Sequence, residues 1–250
     1  MSCAVRFEHV TKSFTHHAGQ ILLRDRLKQL FNRSGAQRFT ALHDVSFELQ
    51  SGESMGLIGS NGAGKSTILN LATGLAHPDS GTVQLNGEVA ALLELGSGFH
   101  PDLTGAENVR INAALMGFSR RETEKKFEEI VEFSGVREFI NEPLRTYSSG
   151  MSMRLAFSVA IASEPDILLL DEVMGVGDED FARKSLDKIH EFQAAGKTIL
   201  LASHSAEMIR TFCHRALWLE HGRVMAVGDS GEVMDAYRGS VAQTPVCVPD

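Results

Sequence analysis

The 250-residue chain is 43% apolar and 22% charged, an ordinary globular profile, and is long enough for one large domain or one domain with an insert. Its net charge of −8 argues against bulk nucleic-acid binding, which a basic surface normally accompanies. Cys3, Cys213 and Cys247 supply neither a disulfide framework nor zinc spacing, the N-terminus lacks an apolar signal core, and no stretch reaches the ~20 apolar residues that span a bilayer. The chain therefore reads as a soluble, cytoplasmic protein.

Val5 to Val10 alternates apolar and polar residues as a half-buried strand does, and Thr11-Lys12-Ser13-Phe14 closes it. In the segment His16 to Phe39, Leu23, Leu27, Leu30 and Phe31 fall on one face of a helix. From Gln20 to Phe39 five basic residues (Arg24, Arg26, Lys28, Arg33 and Arg38) stand against one acidic residue, Asp25. Two readings fit: a surface helix packed on its own domain, or a basic amphipathic helix near lipid head groups or a membrane partner. Ala41 to Leu49 reads as a second strand with a turn at Ser51-Gly52, and Ser54 to Ile58 as a short buried strand. After the Pro78 to Gly81 turn, Thr82 to Leu85 and Glu88 to Leu93 are short strands, and the Asn86-Gly87 between them predicts a hairpin. The character then becomes helical, with helices expected over Glu107 to Met116, Arg120 to Ser134 and Met153 to Ala162. Ile167 to Leu170 is a continuous apolar strand, followed by a helix from about Phe181 to Ala195 and a strand from Thr198 to Ala202. Ala216 to Leu219 and Val224 to Val227 flank a second hairpin at His221-Gly222. A short helix, Glu232 to Tyr237, ends the fold, and the tail from Gly239 is expected to be loose.

Between the strand ending at Ile58 and the helix starting at Lys65 lies Gly59-Ser60-Asn61-Gly62-Ala63-Gly64-Lys65-Ser66-Thr67, which fits G-x-x-x-x-G-K-[ST]. Three glycines let the backbone curl so that successive N–H groups face phosphates, and the helix adds its positive end. Lys65 can reach the β- and γ-phosphates, and the Ser66 hydroxyl can hold a bridging magnesium ion. The sequence thus predicts a site for a nucleoside triphosphate with Mg2+. Asp171 and Glu172 follow the apolar strand, where ligands of parallel sheets sit. Asp171 is the expected magnesium ligand and Glu172 the general base for an attacking water. His204, just past the strand ending at Ala202, can hydrogen-bond a γ-phosphate and orient that water. A third element, Tyr147-Ser148-Ser149-Gly150-Met151, places small residues at a helix start and reads either as a plain N-cap or as an anion site. As an anion site it has no use within one subunit and makes sense against the nucleotide of a second copy.

With these pieces in place the sequence resembles an ATP-binding-cassette (ABC) ATPase subunit, from about residue 4 to 238. The resemblance implies an α/β fold: a P-loop (RecA-like) core with an N-terminal antiparallel β-subdomain and a helical insert. It divides residues 1–240, a single ABC ATPase domain, into a core of 1–98 and 164–240 and a helical subdomain of 99–163 carrying the signature motif. The basic insert is 20–38 and the loose tail 241–250. The family's L-S-G-G-Q appears here as Tyr147 to Met151, with Ser148 and Gly150 matching. Ser148, Ser149 and Gly150 would then act in trans, Gly177-Asp178 would be the D-loop, and two ATP would lie within a head-to-tail homodimer. The family's usual glutamine near residue 93 is absent; Leu95 occupies its place with Glu94 alongside as a candidate magnesium contact. The family expects an aromatic residue on adenine, and both Phe14 and Phe39 qualify.

Leu92 to Pro101, Leu103 to Asn108, Tyr147 to Met151, and Asp171-Glu172-Val173 with Val176-Gly177-Asp178 resemble one branch, the ATPases of cell-surface polysaccharide exporters. That branch includes the O-antigen, teichoic-acid and capsule types, and the basic helix is similar to its gate element. This implies an ATPase at the cytoplasmic face of the inner membrane, held there by a separate permease chain that moves a lipid-linked polysaccharide, with no nucleic-acid partner. Some members carry a carbohydrate-binding domain after the ATPase, and a chain ending at Asp250 leaves no room for one. The rival is a soluble ABC-type clamp or assembly factor unconnected with transport. A small-molecule kinase would leave the signature and His204 without a role.

Overall fold

The computed structural model describes residues 2–15, 38–92, 96, 98–171 and 178–243. The basic segment 16–37, Leu93 to Leu95 (with Glu94), Ser97, Glu172 to Gly177 and the last seven residues lie outside the described set.

Two sheets stack over one core. Strands β1 (Cys3–Thr15), β2 (Arg38–Gln50) and β4 (Ser80–Leu85) form an antiparallel sheet in the order β2-β1-β4. The second sheet has six strands in the order β5-β6-β7-β3-β8-β9: β3 (Ser54–Ile58), β5 (Val89–Leu92), β6 (Ile167–Leu170), β7 (Thr198–Ala202), β8 (Arg215–Glu220) and β9 (Arg223–Asp229). All its pairings are parallel except β8 with β9. Every residue of β3, β6 and β7 is buried, as expected of strands covered on both faces, and this is why they read as nearly continuous apolar runs. Between the sheets, Phe7, Val10, Leu42 and Leu49 pack with Leu57, Leu69 and Leu217. Phe7 and Phe47, opposite in register, stack with ring centroids 4.6 Å apart. Such a pair contributes about 1 kcal/mol beyond its buried area.

Helices α1 (Lys65–Ala72), α5 (Glu179–Ala194), α6 (Ala206–Phe212) and α7 (Ser230–Gln243) belong to this α/β body. Helix α5 buries Phe181, Ser185, Ile189 and Phe192 on one stripe and turns its charges outward. A helical segment inserts between β5 and β6: α2 (Gly105–Leu115), α3 (Arg120–Ser134) and α4 (Ser149–Ile161) around a core that includes Val109, Ile130, Leu155 and Val159. Thr104 with Glu107, and Ser119 with Glu122, close capping boxes at the starts of α2 and α3. Those hydrogen bonds hold both glutamates below the usual carboxylate range. Phe133, Phe157 and Phe181 join α3, α4 and α5 as an aromatic triad with centroids 5.7–6.0 Å apart.

Most predicted elements form, with four differences. Asn86-Gly87 is not a hairpin turn but the crossover between sheets: β4 pairs with β1 and β5 with β6. Asn86 donates to the Ala4 and Cys3 carbonyls, Glu88 N–H donates to Asp166, and the Ile167 N–H returns to Glu88. Those bonds outweigh the local turn preference. Helix α4 starts at Ser149, four residues before the predicted Met153, because Ser148 caps it. Helix α7 runs to Gln243, so the chain is still helical past Gly239, where a loose tail was expected. Helix α6 was not anticipated at all. Among the described residues, no helix is long and apolar enough to cross a membrane.

Candidate nucleotide site

The carboxyl ends of β3, β7 and β6 lie side by side and deliver the phosphate loop, His204 and Asp171 to one edge of the sheet. Helix α1 begins there on Gly64 at φ 111°, with no capping side chain. Its neighbours differ: Thr104, Ser119, Ser148, Asp178 and Ser205 each cap their own helix with a side-chain oxygen. A Cβ on Gly64 would stand 2.9 Å from the Ala41 carbonyl and 2.7 Å from Leu42, so both conformation and space demand glycine. The uncapped start, at the positive end of the helix, suits an anion. Lys65 is buried, and its Nζ donates to the Gly59 and Ser60 carbonyls at 2.7 and 3.2 Å, folded back across the loop.

A cavity of about 530 Å³ opens over this loop, lined by residues 61–67 with Phe14, Phe39, Ala41 and Asp171. Its size suits a small cofactor or nucleotide. Phe14 and Phe39 are direct cross-strand partners in β1 and β2, so their rings share one face of the ladder. They are 43% and 57% exposed, and Lys12 Nζ lies 5.5 Å from the Phe14 ring centroid. Both aromatic candidates thus flank the same mouth, a pairing that the intervening segment hid in the sequence. Ser66 and Asp171 line the same cavity, a hydroxyl and a carboxylate suited to magnesium. Gly59, Ser60 and His204 are not among the residues that line it. Glu172 and Glu94 lie outside the described residues.

The signature stretch is elsewhere. Ser148 accepts from the Met151 N–H at 3.2 Å and, with Ser149 exposed beside it, starts α4. Tyr147 anchors the stretch by donating its hydroxyl to the Phe139 carbonyl at 2.6 Å. That hydroxyl lies 2.2 Å from where a Cβ of Gly105 would be, so only glycine admits it. Burial, then Glu142, pushes the Tyr147 phenol up to about 12. Asp178 caps α5 through the Phe181 N–H and pairs with Arg154 of α4 at 2.9 Å. Sequence reasoning missed Arg154 and Ala41; only the fold shows that α4 lies against the start of α5 and that β2 borders the loop.

Residues 42–175, just over half of the chain, match the family described as ABC transporter. The O-antigen export system ATP-binding protein RfbB of Klebsiella pneumoniae is 44% identical over 247 residues, 97% of this chain and 100% of that protein. The teichoic acids export ATP-binding protein TagH of Bacillus anthracis is 42% identical over 238 residues, 95% of this chain and 43% of that protein. A solved ATP-binding subunit of an ABC transporter superposes with a TM-score of 0.74 at 23% identity, covering 94% of this chain and 93% of that one. A dimeric ATP-binding cassette in a post-hydrolysis state with ADP and Pi gives 0.71 at 23%, covering 90% and 98%. The last two establish the fold and the first three the lineage: the chain belongs to the ABC transporter family and is one of its ATP-binding, ATP-hydrolysing cassettes.

Proposed function

We propose that this cassette powers export of a lipid-linked cell-surface polysaccharide through a separate membrane protein, at whose cytoplasmic face it sits. The likeness to the Klebsiella O-antigen export protein, running over 97% of this chain and all of that one, carries this reading. The teichoic-acid export relative extends it to a second class of surface glycan, while no comparison favours the soluble clamp.

In this mechanism residues 61–67 wrap the phosphates with backbone N–H groups, and Lys65 leaves the Gly59 and Ser60 carbonyls for the β- and γ-phosphates. Phe14 and Phe39 flank the adenine. Ser66 and Asp171 would hold a magnesium ion, which would neutralise charge on the β- and γ-oxygens. Glu172 takes the proton of the attacking water as the γ-phosphorus bond to ADP breaks, and His204 orients that water. Ser148, Ser149 and Gly150 of a second copy close over the γ-phosphate, so ATP holds two subunits together and hydrolysis releases them. The dimeric relative in a post-hydrolysis state supports this arrangement by fold.

The test is purification from gently solubilised native membranes. A stoichiometric multi-span partner, with ATP turnover raised by lipid-linked glycan, is the expected outcome. Soluble partners alone, with no sedimentation with membranes, would overturn the transport reading.

A further inference from the structure

The turn between β8 and β9 lies against the phosphate loop. His221 at φ 47° and Gly222 at φ 75° make two successive left-handed residues, as a tight two-residue hairpin turn demands. Strand β8 runs beside β3, with Trp218 opposite Ile58, so it ends where the loop begins. There the Leu219 carbonyl oxygen lies 2.2 Å from where a Cβ of Gly59 would be. Three residues on, the Gly222 N–H donates to the Ala63 carbonyl at 2.9 Å. The Gly222 carbonyl accepts the His43 N–H of β2 at 2.8 Å, and a Cβ on Gly222 would stand 2.4 Å from the Ala41 oxygen. The end of β8 therefore crowds Gly59, and the turn that follows holds the loop at Ala63 and β2 at Ala41 and His43. Strand β2 also carries Phe39, which lines the cavity together with Ala41.

We propose that Gly222 is a positioning residue of the nucleotide site: it clasps the phosphate loop to β2 and sets the offset between the cradle and the Phe14–Phe39 rings. This rests on the ATP reading of the cavity. The turn alone does not require glycine at this point, because asparagine tolerates a left-handed backbone. The close approach of Ala41 does.

Two substitutions separate turn from clasp. Gly222→Asn keeps a residue suited to the hairpin but forces a Cβ against the Ala41 oxygen. His221→Gly relieves a positive φ and leaves the clasp alone. Magnesium-ATP turnover is measured for both and for wild type, with thermal melting to confirm folding. Lost positioning weakens ground and transition states equally, so Gly222→Asn should raise KM at least tenfold with kcat within threefold. A merely structural role would lower the active fraction, and so kcat, with KM unchanged. His221→Gly should keep KM within twofold.

If Gly222→Asn does not fold, His43→Pro tests the same point from the other side. It removes the N–H given to Gly222 on an edge strand, where proline is tolerated, and should raise KM threefold or more. A wild-type KM in folded Gly222→Asn or in His43→Pro, or a fall in kcat alone, overturns the proposal. Failure of the wild-type protein to bind or hydrolyse ATP would instead overturn the reading of the cavity.

Discussion

Helix α1 starts on Gly64 with no capping side chain, whereas α4 starts on Ser148, whose hydroxyl accepts the Met151 N–H. Both starts are built from small residues, and in the sequence both read as anion sites. The first is embedded: a cavity lies over it, aromatic rings flank that cavity, and a buried lysine crosses the loop. The second commits one N–H to its own cap and stands exposed on the helical segment, tied down by Tyr147. An embedded site and a proposed half-site can share a local sequence grammar. Their surroundings distinguish them.

The largest effect should come from breaking the embedded site. Lys65→Ala should lower kcat/KM for ATP at least a hundredfold, measured as phosphate release. Glu172→Gln should lower turnover by a similar factor while ATP stays bound and dimers accumulate on gel filtration; wild-type turnover would remove Glu172 from the role of base. Ser148→Ala tests the half-site. It should reduce turnover about tenfold, roughly 1.4 kcal/mol of transition-state stabilisation, while leaving nucleotide binding by the isolated subunit unchanged.

Mixing makes the comparison sharper still. A Lys65→Ala subunit paired with a Ser148→Ala subunit concentrates both defects in one composite site and leaves the other whole. Activity above that of either variant alone is expected if the signature acts in trans, and none if it acts within its own chain.

Smaller effects concern how the half-site is held. Asp178→Ala removes the α5 cap and the partner of Arg154, and should cost about 1 kcal/mol of stability by denaturant titration. The least effect belongs to Tyr147. Its folded pKa, about 12, lies above the ordinary 10, so the fold favours the neutral phenol. The stabilisation is complete below pH 10 and is lost as pH rises toward 12. Tyr147→Phe should flatten that alkaline limb of the melting curve.

The parts of the molecule set by short-range rules were legible in the sequence. The apolar runs of β3, β6 and β7 follow from burial on both faces, and the phosphate loop follows from its glycines and lysine. What stayed hidden depended on residues far apart in the chain. Asn86-Gly87 has hairpin chemistry, yet Ala4, Cys3 and Asp166 claim its neighbourhood and turn it into a crossover. Phe14 and Phe39 could not be brought together while the span between them was unknown, and a ladder unites them. The early start of α4 was missed because serine and glycine are weak helix formers, and a cap rather than propensity decides that boundary.

The far end of the β1–β2 ladder has a consequence for how such chains diversify. Thr15 and Arg38 are register partners, so the two points that bracket the 22 intervening residues lie one strand spacing apart. Closing a loop costs only about 0.6 kcal/mol more for each doubling of its length. Sequence can therefore be lengthened, shortened or exchanged there without disturbing either sheet. Because the entry and exit points sit beside two rings that line the nucleotide cavity, such a graft is installed next to the energy source. The fold offers a socket where accessory sequence can be acquired while the ATPase itself remains unaltered.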